Sequence, residues 1–351
     1  MKPHGVLMAG AARHAALYAS AFSQLPRTEV TCVWIDPAAP SWEATQGEAL
    51  ASQLGVDLET GYDRALARDD IDIVCVCSGP SAQTNLATEA ARTGRHLWLD
   101  QPLASNLAEA RALEAETQDV VVGVSSRLYM PGIQAARAVV DSGDLGLPWS
   151  IKLSLVVASE LGQELEGSLS PAFLGGELGR LGPFAIADAV YLSGCNVETV
   201  HAVASDRLMP AYADAGVEGI ALLSLGMAQG AQANILVGRA PIPNSSAPVC
   251  SSLVVRGSKG VLVTREDQLA IKVRAQSGAI DRPVIDPGFG QSADFGAVVN
   301  ALSNFVDNVD GTGPHTYKLQ DAIHVMEVVE AAYASIASGQ VVRVAEAGER
   351  E

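Results

Sequence analysis

Lysine is scarce in this chain. The 351 residues carry five, Lys2, Lys152, Lys259, Lys272 and Lys318, against eighteen arginines, and none falls between Lys2 and Lys152. The interior of the first half therefore supplies no amine for chemistry. Positive charge is short as a whole: 23 basic residues face 40 acidic ones, a net charge of −17. That excludes nucleic acid or an anionic membrane as a general partner, since both need a basic face. No run of about 20 uncharged apolar residues exists, so no membrane span is expected. Cysteines are few and odd in number (Cys32, Cys75, Cys77, Cys195, Cys250). Cys75 and Cys77 stand in the apolar run Ile73–Cys77, a buried-strand pattern rather than a metal knuckle, so no metal site is expected. This usage fits a reducing cytoplasm. Ala19-Ser20-Ala21 resembles a signal-peptidase site. The preceding apolar run, Val6–Ala12, is short and is followed at once by Arg13 and His14, so it reads as a first strand instead.

What is present is a globular composition, 48% apolar and 18% charged. At roughly 150 residues per domain the length suggests two domains. Apolar strands at Val6–Ala9, Val30–Ile35, Ile71–Cys77, His96–Leu99 and Val120–Val124 alternate with helices to about Gln24, then over Ala44–Leu54, Asp63–Arg68, Ala82–Thr93 and Leu107–Thr117. Near-continuous apolar strands alternating with helices predict a doubly wound parallel sheet over residues 1–124. After about Ser125 the rhythm changes. A helix at Pro131–Ser142 precedes long alternating segments: Ser150–Ala158, Val197–Ser205, Gly219–Leu225, Ala231–Val237, Ser252–Arg256, Gly260–Thr264 and Gln268–Val273. These read as strands of one large, mostly antiparallel open sheet. Two helices, Ala293–Val309 and Leu319–Ser338, close the chain. Residues 125–351 are thus expected to form an α+β substrate and oligomerisation domain.

The first strand meets Gly10-Ala11-Ala12-Arg13-His14-Ala15, and the second ends at Asp36, 26 residues after Gly10. This is a degraded dinucleotide fingerprint, with alanine at the second and third glycine places. Gly10 can still make the tight turn, Ala15 can still pack closely, and a helix N-terminus still offers N–H groups to an anion. Asp36 can accept hydrogen bonds from a ribose diol and repels a 2′-phosphate, which favours NAD over NADP. His14, beside the turn, is expected to cap or touch backbone rather than to catalyse.

Several segments together resemble the glucose–fructose oxidoreductase, inositol dehydrogenase and rhizopine-catabolism (Gfo/Idh/MocA) family. Ser78-Gly79-Pro80, followed by residues 90–96, resembles the loop and helix leading to its fourth strand. Asp100-Gln101-Pro102 occupies its Glu-Lys-Pro motif. Arg127-Leu128-Tyr129-Met130-Pro131 resembles its Arg-Tyr/Phe-x-Pro segment, and Gly175-Gly176-Glu177-Leu178 opens its central substrate-domain helix. Gly257-Ser258-Lys259-Gly260 and residues 330–339 resemble its hairpin and last helix. The resemblance covers nearly the whole chain. It implies an NAD(P)-dependent dehydrogenase with a small-molecule substrate, assembled as a homodimer or homotetramer through the C-terminal sheet. The cofactor would lie against Gly10, Ala11, Ala12, Arg13, His14, Asp36, Ser78, Gly79, Pro80, Asp100 and Gln101, and the nicotinamide ring over the domain junction.

The family's usual lysine, aspartate and histidine fall at Gln101, Arg180 and Phe184; a further aspartate falls at Ala187, with Asp188 displaced by one. Oxidising an alcohol needs a base, worth about 10²–10⁴ in rate, and neither an amide, a permanent guanidinium nor a phenyl ring is one at neutral pH. Catalytic roles therefore fall to Gln101, Tyr129 as a proton donor and Arg180 as a fixed cation. Arg127, Phe184 and Asp188 are expected to line the substrate pocket, Phe184 as an apolar wall. Arg180 could equally form a salt bridge with Glu177 or Asp188. Pro183 suits a first helical turn, which offers a second helix start that would leave Arg180 on the preceding loop. Two functions follow. One is an oxidoreductase reducing an activated carbonyl, imine or conjugated molecule. The other is a silent or non-redox scaffold: a nucleotide-sensing regulator, an auxiliary biosynthetic protein, or an NAD-assisted lyase or cyclase.

Overall fold

The computed structural model describes residues 2–12, 14–125, 127–158, 169, 175–207, 209–240, 252–265, 270–276, 278–283 and 292–344. The chain divides into two compact units, 1–126 with 290–323 and 127–289 with 324–351. The expectation of one break at 124/125 left both closing helices in the second domain; the segment 290–323 instead belongs with the first unit.

The first unit is built on six parallel strands, β1 (His4–Ala9), β2 (Thr28–Trp34), β3 (Asp57–Glu59), β4 (Ile73–Val76), β5 (His96–Leu99) and β6 (Val122–Val124), in the order β3-β2-β1-β4-β5-β6. The central strands are apolar along their whole length because helices cover both faces; every residue of β4 is buried. The covering helices are α1 (Ala15–Gln24), α2 (Ser41–Leu54), α3 (Tyr62–Leu66), α4 (Pro80–Arg92) and α5 (Leu107–Glu116). Asn106 caps α5 by accepting the Glu109 N–H at 3.0 Å and donates to the Glu109 carboxylate at 2.9 Å, a reciprocal cap. Chain order reverses at β1, with β4 and β2 on its two sides. That is the switch point at which ligands of open α/β sheets bind, outside the carboxyl ends of the strands. The Cys75 and Cys77 thiols lie 3.6 Å apart, both buried in this core.

The returning helix (Ser292–Val309) packs on α1. Its Phe305 ring lies 5.6 Å from that of Trp98. Gly123 makes the approach possible, since a Cβ there would sit 2.5 Å from Trp98 and 2.7 Å from Phe305. Arg27 reaches Asp307 at 2.5 Å and Asp310 at 2.7 Å, and His4 reaches Asp310 at 2.8 Å.

The second unit opens with α6 (Pro131–Asp141) and carries a nine-stranded sheet. Its strands are β7 (Pro148–Ala158), β8 (Val197–Ser205), β9 (Ile220–Met227), β10 (Gln232–Ala240), β11 (Ser252–Gly257), β12 (Gly260–Arg265), β13 (Ala270–Ala275), β14 (Gly278–Pro283) and β15 (Val342–Arg343). The order is β14-β13-β12-β11-β7-β10-β9-β8-β15. The sheet is mostly antiparallel, as expected; the exception is β7 and β10, which pair in parallel, Ile235 opposite Leu153. A parallel pair needs a long crossover, and the helical segment between β7 and β10 provides it. Alternating burial marks one covered face; β9 reads buried at Ala221, Leu223, Leu225 and Met227. On the other face Val203 stands directly opposite Leu222, and they are 52% and 45% exposed. Helix α7 (Glu177–Ser193) packs on β7 and β10. A short helix α8 (Pro210–Ala215) follows β8. In chain order the returning Ser292–Val309 is α9, and α10 spans Leu319–Ser338. The strands β3 and β15 and the helix α8 are too short for a period to declare itself.

Candidate functional site

In the first unit the site begins at Gly10. Its φ is +96°, and an added Cβ would lie 2.4 Å from the Cys77 carbonyl oxygen, so the turn leaving β1 admits only glycine. The Gly10 N–H donates to Trp34 O at 2.9 Å and the Ala12 N–H to Cys77 O at 3.1 Å, which ties the turn to β2 and to the end of β4. The Ala11 N–H donates to the Glu43 carboxylate at 3.3 Å. Ala11 and Ala12 are both 5% exposed. Neither α1 nor α4 has a side-chain cap, so both present backbone amides at the switch point. Asp36 is exposed just beyond β2, its Oδ1 accepting the Ala38 N–H at 2.8 Å. Ser78 and Gly79 lead into α4, which opens at Pro80. Arg13 lies outside the described residues. A tight glycine turn, two uncapped helix starts and an exposed carboxylate beyond the second strand fit a dinucleotide. Gly10, Ala11, Ala12 and Asp36 would hold it, with Ser78 and Gly79 at the start of α4.

Beside that turn stands a fully buried carboxylate. Asp100 follows β5, and its Oδ1 accepts the Tyr18 hydroxyl at 2.7 Å and the Gln101 N–H at 2.9 Å. Its Oδ2 lies 2.8 Å from Nδ1 of His14. Here an expectation is corrected. His14 makes no side-chain cap on α1; its ring instead meets the Asp100 carboxylate, a buried group that needs a hydrogen-bond partner. Burial, and then the charge of Asp100, pushes the Tyr18 phenol well above its ordinary value, so it stays a donor. Gln83 is fully buried, and its Nε2 donates to the carbonyls of Asp100, Pro102 and Leu103 at 2.9, 3.2 and 2.9 Å, fixing the backbone around Gln101. Gln101 itself is 2% exposed. Tyr18 and Gln83 went unnoticed in the sequence. For Tyr18 a signal existed, since it lies one helical turn after His14 on the same face.

In the second unit the expected residues converge on α7. The alternative start at Pro183 is corrected: the helix begins at Glu177 and Pro183 lies inside it. The early start survives because other parts of the unit take its free N–H groups. Glu177 N donates to Glu218 O at 3.0 Å, Leu178 N to the Glu218 carboxylate at 2.9 Å, and Gly179 N to the Tyr333 hydroxyl at 3.1 Å. Arg180, Phe184 and Asp188 therefore fall at i, i+4 and i+8 on one helix face. Glu177, fully buried, takes Arg239 at 2.9 Å and the Tyr212 hydroxyl. Asp188 faces Arg127, with Nε at 4.0 Å from Oδ2. Burial raises the Asp188 carboxyl to about 7, against the pull of Arg127. Tyr129 is half-buried in the turn that precedes α6. One turn beyond Asp188, Tyr191 meets α6 through Gln134 and lies under Arg137, whose guanidinium is 5.2 Å from the ring centre.

Comparison with known proteins accounts for both parts of the chain. Residues 4–126 match the family described as an oxidoreductase family with an NAD-binding Rossmann fold. Residues 133–263 match the GFO/IDH/MocA C-terminal domain. The chain is 24% identical over 307 residues to an inositol 2-dehydrogenase of Rhizobium meliloti, covering 85% of this chain and 88% of that protein. It is 24% identical over 234 residues to the oxidoreductase YrbE of Bacillus subtilis, a match spanning 64% of each. Among solved structures, a putative myo-inositol dehydrogenase from Sinorhizobium meliloti superposes with a TM-score of 0.81 at 22% identity, over 97% of this chain and all of that one. A levoglucosan dehydrogenase in complex with NADH and levoglucosan gives 0.83 at 17%, over 98% and 100%. With a matching model on each side of Ser126, the chain belongs to the Gfo/Idh/MocA oxidoreductase family.

Proposed function

We propose that the protein is an NAD-dependent reductase of an activated carbonyl, imine or conjugated small molecule, with the ordinary sugar-oxidising site rebuilt. The observation that carries this is the set Gln101, Arg180 and Phe184 in place of lysine, aspartate and histidine. None of the three accepts a proton at neutral pH, whereas reducing an already polarised acceptor needs no such base. Bound reduced dinucleotide supplies the hydride. The buried Gln101 amide hydrogen-bonds the acceptor, and its backbone is held by Gln83 and Asp100. Arg180 binds a substrate carboxylate or steadies developing negative charge. Phe184 is an apolar wall, Arg127 and Asp188 are pocket residues, and the Tyr129 hydroxyl is a further donor. Asp36 sets the preference for NAD over NADP. The four described cysteines are free, in keeping with a reducing, cytoplasmic setting. The opposed pair Val203 and Leu222, with Val263 on β12, marks the open sheet face for a second copy of the chain.

The competing reading is a nucleotide-binding scaffold without redox turnover. What favours it is that none of Gln101, Arg180 and Phe184 can exchange a proton at neutral pH. Titration with NADH and NADPH, followed by nicotinamide fluorescence, and then turnover with a panel of carbonyls and imines separates the two. The reductase reading expects NADH to bind more tightly than NADPH and at least one acceptor to oxidise it. Binding with no turnover supports the scaffold, and ordinary oxidation of inositol or glucose defeats both.

A further inference from the structure

The reading above offers the acceptor only a weakly acidic phenol, Tyr129, and with no lysine at position 101 the reduction calls for a stronger catalytic acid. We propose that His14 is that catalytic acid, oriented and kept protonated by Asp100. The inference rests on the reductase reading and deepens it.

The geometry that supports it lies wholly within the first unit. Asp100 has no exposed surface, so its charge must be met by fixed donors. The Tyr18 hydroxyl and the Gln101 N–H hold one oxygen, and the other oxygen faces His14 Nδ1 at 2.8 Å. A carboxylate on one ring nitrogen fixes the tautomer, holds the ring plane and favours the imidazolium. The Nδ1 proton is thereby committed to Asp100, which leaves the Nε2 proton as the exchangeable one. The His14 side chain is 46% exposed, so it can recover a proton from water after each turnover.

Position adds to this. His14 ends the turn from β1, at the start of α1, where the cofactor-binding loop lies. Asp100 is joined directly to Gln101, so the acid and the acceptor-binding amide share one anchor. Among the described residues, the carboxylates near the ring favour its charged form. Tyr18, on the same helix with its ring 5.8 Å away, remains a neutral phenol; Asp100 comes from the loop after β5; and Glu43 reaches the same turn from α2. A tyrosine hydroxyl ordinarily titrates near 10 and an imidazole near 6.5, so the imidazolium is the better-matched donor at neutral pH.

The step balances as follows. The Nε2–H bond breaks and an O–H bond, or N–H for an imine, forms on the acceptor. The acceptor carbon takes a hydride, with its electron pair, from reduced nicotinamide dinucleotide, which leaves oxidised. The neutral imidazole regains its proton from solvent, so one NADH and one proton are consumed per alcohol or amine formed.

The test combines His14→Gln, which keeps an N–H for Asp100 but no transferable proton, with Asp100→Asn. Imidazole resonances of the whole protein without cofactor are followed by NMR across pH, with His14 identified by its loss in the Gln variant. The expected His14 titration lies above the ordinary imidazole value and drops in Asp100→Asn. Should that variant fail to fold, Tyr18→Phe withdraws one donor from the carboxylate and should raise the His14 titration further. In turnover, kcat should fall as pH rises through the His14 titration. His14→Gln should abolish that limb and lower kcat by about 10²–10⁴, and by much less with a preformed iminium, which needs no proton. A His14 titration indifferent to Asp100 and Tyr18 overturns the proposal. So does an active wild type whose His14→Gln variant keeps both rate and pH limb, and that result leaves the reductase reading standing. A wild type that binds NADH but turns over no acceptor sinks both.

Discussion

Each unit buries a carboxylate completely, and the two are held in opposite ways. Asp100 in the first unit is met by two neutral donors and by an imidazole whose side chain is 46% exposed. Glu177 in the second is met by Arg239, only 13% exposed, and by the buried Tyr212 hydroxyl. The second arrangement is closed: a guanidinium does not release its proton in a protein, so the pair is permanent and serves to fix the start of α7. The first is open, because its partner is an imidazole, which can exchange its proton, and that ring touches solvent. Complete burial of a charge is common to both and so does not identify chemistry; what distinguishes them is whether the partner can exchange its proton.

The sharpest way to break this comparison is to remove each partner in turn. Arg239→Leu strands a fully buried carboxylate and should cost about 3–5 kcal/mol of stability, read as a fall in the urea midpoint. His14→Gln leaves Asp100 with its two neutral donors and an amide N–H and should cost less than about 1 kcal/mol by the same measurement. Equal losses at the two sites would mean that His14 is as structural as Arg239.

Asp188 stands between these extremes. It is buried, at 2% exposed, but its cation lies 4.0 Å away and its Oδ1 finds no hydrogen-bond partner among the described residues. Burial consequently wins, and the carboxyl rises to about 7. A carboxyl whose folded value exceeds its unfolded one, about 3.9, binds its proton more tightly in the native state. Its contribution is full below about pH 4 and is lost as pH rises to about 7. The expected loss over that window is a few kcal/mol, and Asp188→Asn should flatten it. Urea midpoints of wild type and variant at pH 5 and pH 8 check this: the variant should gain on wild type at pH 8. An equal difference between variant and wild type at pH 5 and pH 8 would show that Arg127 holds Asp188 charged throughout.

How much of this was legible beforehand follows the range of the interactions involved. The strands of the first unit declare themselves because each is apolar end to end, and helix faces such as that of Arg180, Phe184 and Asp188 follow from spacing once the start is known. The start was the difficulty. Pro183 carries a strong local signal for a first turn, yet Glu218 and Tyr333, 40 and 154 residues away from the amides they satisfy, move the start back to Glu177. The same holds for His14. Its sequence neighbours suggest a cap, whereas Asp100, 86 residues on, decides its role. The return of Ser292–Val309 to the first unit is likewise invisible to periodicity, which reports an amphipathic helix and not the surface that receives it.

That return supplies the smallest expected effect. Arg27 pairs with Asp307 and Asp310 on α9, but its side chain is 36% exposed and that of Asp307 37%, so water competes for both charges. The apolar seam of Phe305, Trp98 and Gly123 should carry most of the helix's attachment instead. Arg27→Ala should therefore cost no more than about 1 kcal/mol, with the loss shrinking as salt is raised. Phe305→Ala, which opens a cavity in that seam, should cost about 3–5 kcal/mol with little dependence on salt. If the arginine variant proved the more damaging, the first unit would be holding its last helix by charge, and the contrast between an open polar site and an apolar frame around it would fail.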